Sequence, residues 1–294
     1  MKIDFLLEIN DALGKSSIKN DSISFLEFVK TFSFAGINST SNPLQTLFRF
    51  LENIYGFAPS FIDHKFHLHP ELENDPTEKG QFSNKVGRAF AVYFAKKQSG
   101  AMYVYSYECA LKKYGKQITG SRPDYYCDTS KQSFSLEAKG YCCSSISDTK
   151  MQVYKNQAQA GSLNVNFSIA SATFNIYNKP KIKYYDPEND NKNYDYKFAE
   201  ELRKDYYKGV LKLISSPYFI NSQSPEKDFY AYKAIIDLNI FTILVHKSIV
   251  EQNDLLNTLH PIKTENMFID TDGIGLIINL DEIKHRIQTV SNKS

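Results

Sequence analysis

The feature that most constrains the fold is an extended run at residues 133–141, Ser-Phe-Ser-Leu-Glu-Ala-Lys-Gly-Tyr, in which two charged residues interrupt an apolar strand. Successive side chains of a strand point to opposite faces of its sheet, so Glu137 and Lys139 share one face. Leu136 and Ala138 point to the other face, where a helix can cover them. The run therefore predicts a buried strand with a single polar pair.

A second acid precedes this strand. Asp124 follows Pro123, and residues 127–132, between the two segments, are rich in turn-forming types. Such residues favour a hairpin connection, which would bring Asp124 beside Glu137. The sequence thus predicts two converging carboxylates next to a lysine.

Converging carboxylates repel each other, and in an apolar setting their proton affinity rises unless a cation lies between them. Oxygen ligands favour Mg²⁺ or Mn²⁺ over zinc, and such a cation polarises a phosphate and lowers the pKa of a bound water. Lys139 would position or deprotonate the attacking water, or offset charge on the phosphate. Asp124, Glu137 and Lys139 are therefore the predicted catalytic residues. An ordinary surface hairpin, with Asp124 in a turn and the Glu-Lys pair solvated, is the alternative.

The pairs Pro123-Asp124 and Glu137-Ala138-Lys139 resemble the signature of the PD-(D/E)XK, or restriction-endonuclease-like, nuclease superfamily. The resemblance implies an α/β fold whose core is a mixed central sheet flanked by helices, with the motif on adjacent strands. It also implies metal-dependent cleavage of nucleic acid, DNA being favoured over RNA, with Mg²⁺ (or Mn²⁺) held by both acids and the Ala138 carbonyl. A restriction or anti-phage defence endonuclease, acting as a homodimer or with a partner subunit, is the implied setting.

The predicted elements around the motif follow the order of that core. They are a helix, a strand, a helix closed by Gly161 and a strand, at residues 82–97, 102–107, 149–160 and 165–177. A nuclease core over residues 82–178 is the resulting prediction.

Further residues follow from the resemblance. It implies auxiliary side chains near the metal, and the candidates are Tyr154 and Gln157 on the helix at 149–160, together with Arg122 beside the motif. Many members of the superfamily also place an acid on the first helix. Here that helix offers Gln81, Asn84 and Arg88, and Glu78 lies before its expected start. The number of metal ions, one or two, therefore stays open.

The rest of the chain is predicted as two flanking regions. Residues 1–81 form a helical N-terminal region and connector, with helices at 5–13, 23–34 and 43–55. Residues 179–294 form an α+β extension packed on the core. Its predicted elements are a polar loop at 180–197, helices at 198–214, 228–240 and 281–289, a strand at 241–245, and a hairpin turning at 270–273.

Composition limits the function classes. With 42% hydrophobic residues and a mean hydropathy of -0.41, the chain is predicted to be a soluble globular protein. A net charge of only +2 means that nucleic-acid contacts must come from local patches. No apolar run matches a membrane span and no secretory signal is evident, which predicts a cytoplasmic protein without membrane partners. The four cysteines lack zinc-site spacing and are predicted to be buried free thiols.

Two other function classes stay open at this point. One is a protein that keeps the nuclease fold and binds nucleic acid without turnover. The other is a partner-binding subunit whose hairpin is incidental.

Overall fold

A computed structural model describes residues 1–10, 15–185, 194–236, 240–252, 254 and 259–291. The fold is mixed α/β, which confirms the predicted class. Contacts divide the chain into two compact units, one of Met1–Ser24 with Asp63–Leu202 and one of Phe25–Ile62 with Arg203–Ser294. These limits differ from the predicted ones at residues 81 and 178, because both units combine segments that are distant in sequence.

The elements of the described part of the chain are as follows. The strands are Lys2–Asn10 (β1), Ser16–Ser24 (β2), Tyr103–Ser106 (β3), Tyr125–Asp128 (β4), Ser133–Gly140 (β5), Phe167–Phe174 (β6), Lys181–Tyr185 (β7), Phe219–Ser222 (β8), Phe229–Ala234 (β9), Phe241–His246 (β10), Ile262–Lys263 (β11), Met267–Ile269 (β12) and Ile274–Ile278 (β13). The helices are Phe25–Phe34 (α1), Pro43–Ile62 (α2), Pro76–Lys97 (α3), Tyr107–Lys113 (α4), Asp148–Gln159 (α5), Tyr196–Ile214 (α6), Lys247–Gln252 (α7) and Leu280–Ser291 (α8).

The first unit is built on a seven-stranded sheet in the order β2-β1-β7-β6-β5-β4-β3. The pairs β1·β7 and β5·β6 are parallel and the other neighbours are antiparallel, so the sheet is mixed. Helix α3 packs on β5 and β6, and α5 packs on the same two strands. Met151 of α5 lies in an apolar cluster with Ala170, Ala172 and Phe174 of β6. The motif strands β4 and β5 therefore lie within a sheet that carries helices.

The predicted helix at 5–13 is wrong, because this segment begins in β1 and residues 11–14 lie outside the described residues. Ile3, Phe5 and Leu7 are almost completely buried at a spacing of two, which is the period of a strand. The ring of Phe5 packs edge-on against Phe90 and Phe94 of α3. This alternation outweighs the weaker helical pattern, and the N-terminal hairpin extends the sheet beyond β7.

Helix α3 is longer than predicted. It begins at Pro76, and the side chain of Asp75 caps it by accepting the backbone N–H groups of Thr77 and Glu78 at 2.7 and 3.3 Å. Glu78 therefore lies in the first turn of the helix and not before it, which corrects the prediction. It precedes Arg88 by ten residues, about 15 Å along the axis, so it does not supply an acid at the level of Arg88.

Helix α3 crosses β5 at two glycines. A Cβ atom on Gly87 would lie 2.5 Å from the carbonyl oxygen of Lys139, and one on Gly140 would lie 1.8 Å from the carbonyl oxygen of Ser83. No side chain fits at either position, so the helix and strand backbones touch. The crossing sets Arg88, the next residue of α3, at the level of Lys139.

Three other predictions need correction. The polar loop at 180–197 is wrong at its start, where β7 forms, and at its end, where α6 begins; residues 186–193 lie outside the described residues. The helix at 228–240 is replaced by β9, in which buried Phe229 and Ala231 flank exposed Tyr230; residues 237–239 lie outside the described part of the chain. Among the free cysteines only Cys127 is buried, while Cys142 and Cys143 are exposed and Cys109 is intermediate.

The second unit holds an antiparallel six-stranded sheet in the order β11-β12-β13-β10-β9-β8. The predicted hairpin between β12 and β13 is confirmed, and Gly273 closes it with a φ of 75°. Lys30 of α1 is fully buried and lies 2.8 Å from carboxylate oxygens of both Asp270 and Asp272. The hydroxyl of Tyr206 donates to Asp272 at 3.0 Å. A buried ionic cluster thus ties two helices to this hairpin.

None of the helices in the described ranges combines the length and the apolar content needed to cross a membrane.

Candidate active site

The predicted hairpin brings Asp124 to the motif strand. Strands β4 and β5 pair antiparallel, and their turn is closed by the Thr129 N–H, which donates to the Gln132 carbonyl at 2.9 Å. Asp124 immediately precedes β4, and its Oδ2 accepts the backbone N–H of Ala138 at 3.0 Å. The first acid is therefore hydrogen-bonded to the residue that separates Glu137 from Lys139.

The register with β6 fixes the faces of the motif strand. Glu137 lies opposite Ala170 and Lys139 opposite Ala172, and both alanines belong to the apolar cluster beneath α5. Paired residues of neighbouring strands point to the same face, so the acid and the lysine face α5. Gly140 packs against α3 on the other face. The alternation predicted from sequence is confirmed.

Glu137 is an unusual buried acid. Its exposed fraction is 0%, and neither carboxylate oxygen accepts a well-aligned hydrogen bond from a residue that the structure describes. The ammonium group of Lys139 forms an ion pair with Oε1. Burial, and next the charge of Asp124, raise the pKa of Glu137 to about 7, although Lys139 opposes the rise. A carboxylate buried in this way gains stability from a bound cation.

Lys139 lies between this acid and a pair of tyrosines. Its Nζ is 5.9 Å from the centre of the Tyr154 ring. The hydroxyl of Tyr154 contacts that of Tyr141, and the two rings stack with centroids 6.1 Å apart. Burial, and next the contact with Tyr154, raise the pKa of Tyr141. The predicted auxiliary Tyr154 is thus beside the lysine. Tyr141 was missed, although its spacing of two from Lys139 already places it on the same strand face.

The register also explains the role of Pro123. The pairing of β4 with β5 ends at Tyr125 opposite Leu136, and the same register continued by two residues would place Pro123 opposite Ala138. Proline has no N–H to donate to the Ala138 carbonyl. The N–H of Ala138 is taken by the Asp124 side chain. A proline at this position would leave the carbonyl oxygen of Ala138 without a donor from the β4 side.

The oxygen groups at this point have the chemistry of the small ligand set that Mg²⁺ takes from a protein. Neither oxygen of Glu137 accepts a well-aligned hydrogen bond from a described residue, although Oε1 forms an ion pair with Lys139, and Oδ1 of Asp124 accepts no hydrogen bond from a described residue. No group of three His, Cys, Asp or Glu side chains suited to a metal occurs in the described ranges. Two carboxylates and the Ala138 carbonyl would thus be the protein ligands. Mg²⁺ accepts such a small set, because it keeps several waters and binds substrate oxygens.

A cavity of about 460 Å³ opens beside Asp124, and the other auxiliary candidates line it. Arg122 pairs with Glu108, and its backbone carbonyl accepts the side-chain amide of Gln157 at 3.3 Å. Gln157 is therefore held at the cavity wall by the motif segment. Polar side chains surround the space next to the first acid.

Comparison with known proteins adds no relative: no family model, no curated protein and no solved structure matches this chain. The function is therefore inferred from the chemistry of the site.

Arg88 is the residue that sequence reasoning undervalued. It lines the same cavity, its Nε donates to the hydroxyl of Tyr125 at 3.0 Å, and its guanidinium lies 5.5 Å from the centre of that ring. The sequence draws attention to Arg88 only as a residue of the first helix, where an acid was expected. Its location depends on the crossing of α3 over β5 at Gly87, which is a tertiary contact without a local sequence signal.

Proposed function

We propose that this protein is a metal-dependent nuclease that hydrolyses phosphodiester bonds in nucleic acid, preferably DNA, with Mg²⁺ or Mn²⁺. The observation that carries the proposal is Glu137, a fully buried carboxylate next to Asp124 whose pKa is raised to about 7 although it forms an ion pair with Lys139. A solvated surface hairpin would leave this acid exposed and its pKa close to normal. The likeness of the motif to the PD-(D/E)XK signature supports the same conclusion.

The chain's own residues divide the work as follows. The carboxylates of Asp124 and Glu137 and the carbonyl of Ala138 would hold the cation, which supplies Lewis-acid polarisation of the phosphate and a lowered pKa of water. The ammonium group of Lys139 orients the attacking water or stabilises negative charge that develops on the phosphate. The ring of Tyr154 restricts the lysine side chain to that side of the strand.

The proposed chemistry depends on pH through Glu137. Cation binding requires the carboxylate form, and the pKa of about 7 means that half of the cation-free sites are protonated near neutral pH. Metal affinity should therefore fall as the pH drops below 7.

The biological setting that we propose is a cytoplasmic restriction or anti-phage defence endonuclease, working as a homodimer or with a partner subunit. It is supported by the resemblance of the motif alone.

A cleavage assay tests the function. Plasmid, linear duplex, single-stranded DNA and RNA are incubated with the purified protein in Mg²⁺, Mn²⁺ or EDTA. We expect cleavage in either metal, none in EDTA, and at least about a hundredfold loss in Asp124→Ala and Lys139→Ala. Lys131→Ala, which removes an exposed charge at the far end of the same hairpin, is the control and should cleave normally. Cleavage that persists in Asp124→Ala contradicts the mechanism. Binding without cleavage by wild type favours an inactive nucleic-acid-binding protein.

A further inference from the structure

Arg88 presents unused hydrogen-bond donors to the cavity beside Asp124. Only its Nε has a partner, the hydroxyl of Tyr125, and its two terminal nitrogens donate to no residue in the described part of the chain. The Arg88 side chain is exposed, whereas Tyr125 has an exposed fraction of only 3%. The arginine is thus fixed at its inner end and free at its outer end.

The anchor limits the orientations of the guanidinium. Tyr125 holds it through one hydrogen bond and through a ring face 5.5 Å away, and Tyr125 itself is locked in β4 opposite Leu136. A guanidinium whose Nε is occupied still offers the edge formed by its two terminal nitrogens. Two parallel N–H donors of this kind match two oxygens of a phosphate.

The charge balance of the cavity favours an anion there. Arg122 is neutralised by Glu108 at the rim. Asp124 would be neutralised by the cation that it shares with Glu137. Arg88 forms no ion pair with a carboxylate of the described residues, and Tyr125, followed by a smaller contribution from Asp124, raises its pKa, so it stays charged. The volume of about 460 Å³ lies in the range of small-ligand pockets and holds more than one phosphate group.

We propose that Arg88, oriented by Tyr125, binds a phosphate group of the nucleic-acid strand in this cavity, next to the phosphate that is cleaved. This inference rests on the proposed nuclease function for the identity of the ligand. Under this proposal Arg88 supplies a second positive charge beside the cation, so that one metal ion would suffice. The bound phosphate is either an internal diester or a phosphate at the end of a strand.

Binding measurements separate this role from catalysis. All variants are made in a Lys139→Met background, in which the proposed chemistry is blocked, and the probe is a fluorescent 12-nucleotide DNA strand in Mg²⁺. Three forms are compared: a strand with a 5′-phosphate, the same strand with a 5′-hydroxyl, and a circular strand. Arg88→Ala should raise the Kd by about ten- to a hundredfold, the range for hydrogen bonds to a charged group. The loss of one phosphate contact should also reduce the slope of log K against log salt by about 0.7.

The pattern across the strands identifies the source of the phosphate. An equal loss on all three forms indicates an internal diester, and a loss confined to the 5′-phosphorylated strand indicates a terminal phosphate. Tyr125→Phe keeps the ring but removes the anchor, so it should weaken binding several-fold and add little to Arg88→Ala. Lys131→Ala is again the control.

Two outcomes overturn the proposal: a Kd for Arg88→Ala within twofold of its parent on every strand, or a parent protein that binds none of them. Wild-type cleavage is measured in parallel. If DNA binding depends on Arg88 but the wild-type protein never cleaves, the proposed nuclease function is refuted and the phosphate-binding role of Arg88 is supported.

Discussion

Replacing Glu137 by glutamine should stabilise the metal-free protein at alkaline pH. The folded-state pKa of Glu137 is about 7, raised from 4.5, so folding disfavours the ionised form. Stability from the neutral carboxyl is fully present below pH 4.5 and is lost as the pH rises through 7. At about 1.4 kcal/mol per pKa unit, the loss by pH 8 is about 3 kcal/mol. Glutamine keeps the shape of the side chain and cannot ionise.

The measurement is chemical or thermal denaturation in EDTA between pH 5 and 8. Near pH 5 wild type and Glu137→Gln should differ by less than about 1 kcal/mol. At pH 8 the variant should be more stable by about 3 kcal/mol, a rise in the Tm of the first unit of roughly 6 to 12 °C. Excess Mn²⁺ should stabilise wild type at pH 8 and should not stabilise the variant.

Glu73→Gln, at an exposed position between α2 and α3, is the matched control and should follow the pH dependence of wild type. Parallel pH profiles of Glu137→Gln and wild type in EDTA would show that Glu137 has no raised pKa. A variant less stable than wild type at pH 8 would show that Glu137 is a well-solvated or well-paired carboxylate.

Three other perturbations follow from the packing. Gly140→Ala places a Cβ atom 1.8 Å from the Ser83 carbonyl oxygen and should destabilise the protein by roughly 3 kcal/mol or more. The control Gly80→Ala, in α3 with nothing within 4 Å of the added Cβ atom, should stabilise the protein by up to about 1 kcal/mol. Urea denaturation measures both changes, and equal effects would contradict the close crossing of α3 and β5. Lys30→Met leaves two buried carboxylates without their cation and should lower the free energy of unfolding by about 3 to 5 kcal/mol. Lys263→Met, at an exposed pair with Glu27, should lower it by less than about 1 kcal/mol. An equally small loss for Lys30→Met would show that water reaches the buried cluster. Tyr154→Leu removes the ring beside Lys139 and should lower the cleavage rate about tenfold, whereas Tyr154→Phe keeps the ring and should keep most of the wild-type rate. A larger loss in Tyr154→Phe than in Tyr154→Leu would show that the hydroxyl, not the ring, positions Lys139.

Local patterns predicted the motif hairpin well. The alternation around Glu137 and Lys139, the turn formers between β4 and β5, and the Asp-Gly turn before β13 all depend on neighbouring residues. The helix at 149–160 corresponds to α5 and the strand at 241–245 to β10 for the same reason. Such features need no knowledge of the rest of the chain.

Features that depend on distant partners could not be predicted. The pairing of β1 with β7 joins residues about 175 positions apart, and nothing local distinguishes β1 from a helix except the spacing of Ile3, Phe5 and Leu7. The burial of Glu137 and the position of Arg88 both depend on helices that cross β5. The start of α3 was different, because Asp75 before Pro76 is a readable cap signal.

The proposed nuclease chemistry requires one divalent cation shared by Asp124 and Glu137. Anomalous diffraction from a crystal soaked in millimolar Mn²⁺ tests this directly. We predict one peak, about 2.0 to 2.3 Å from oxygens of both carboxylates and of the Ala138 carbonyl. The absence of a peak between Asp124 and Glu137, in a crystal soaked at pH 8, would contradict it.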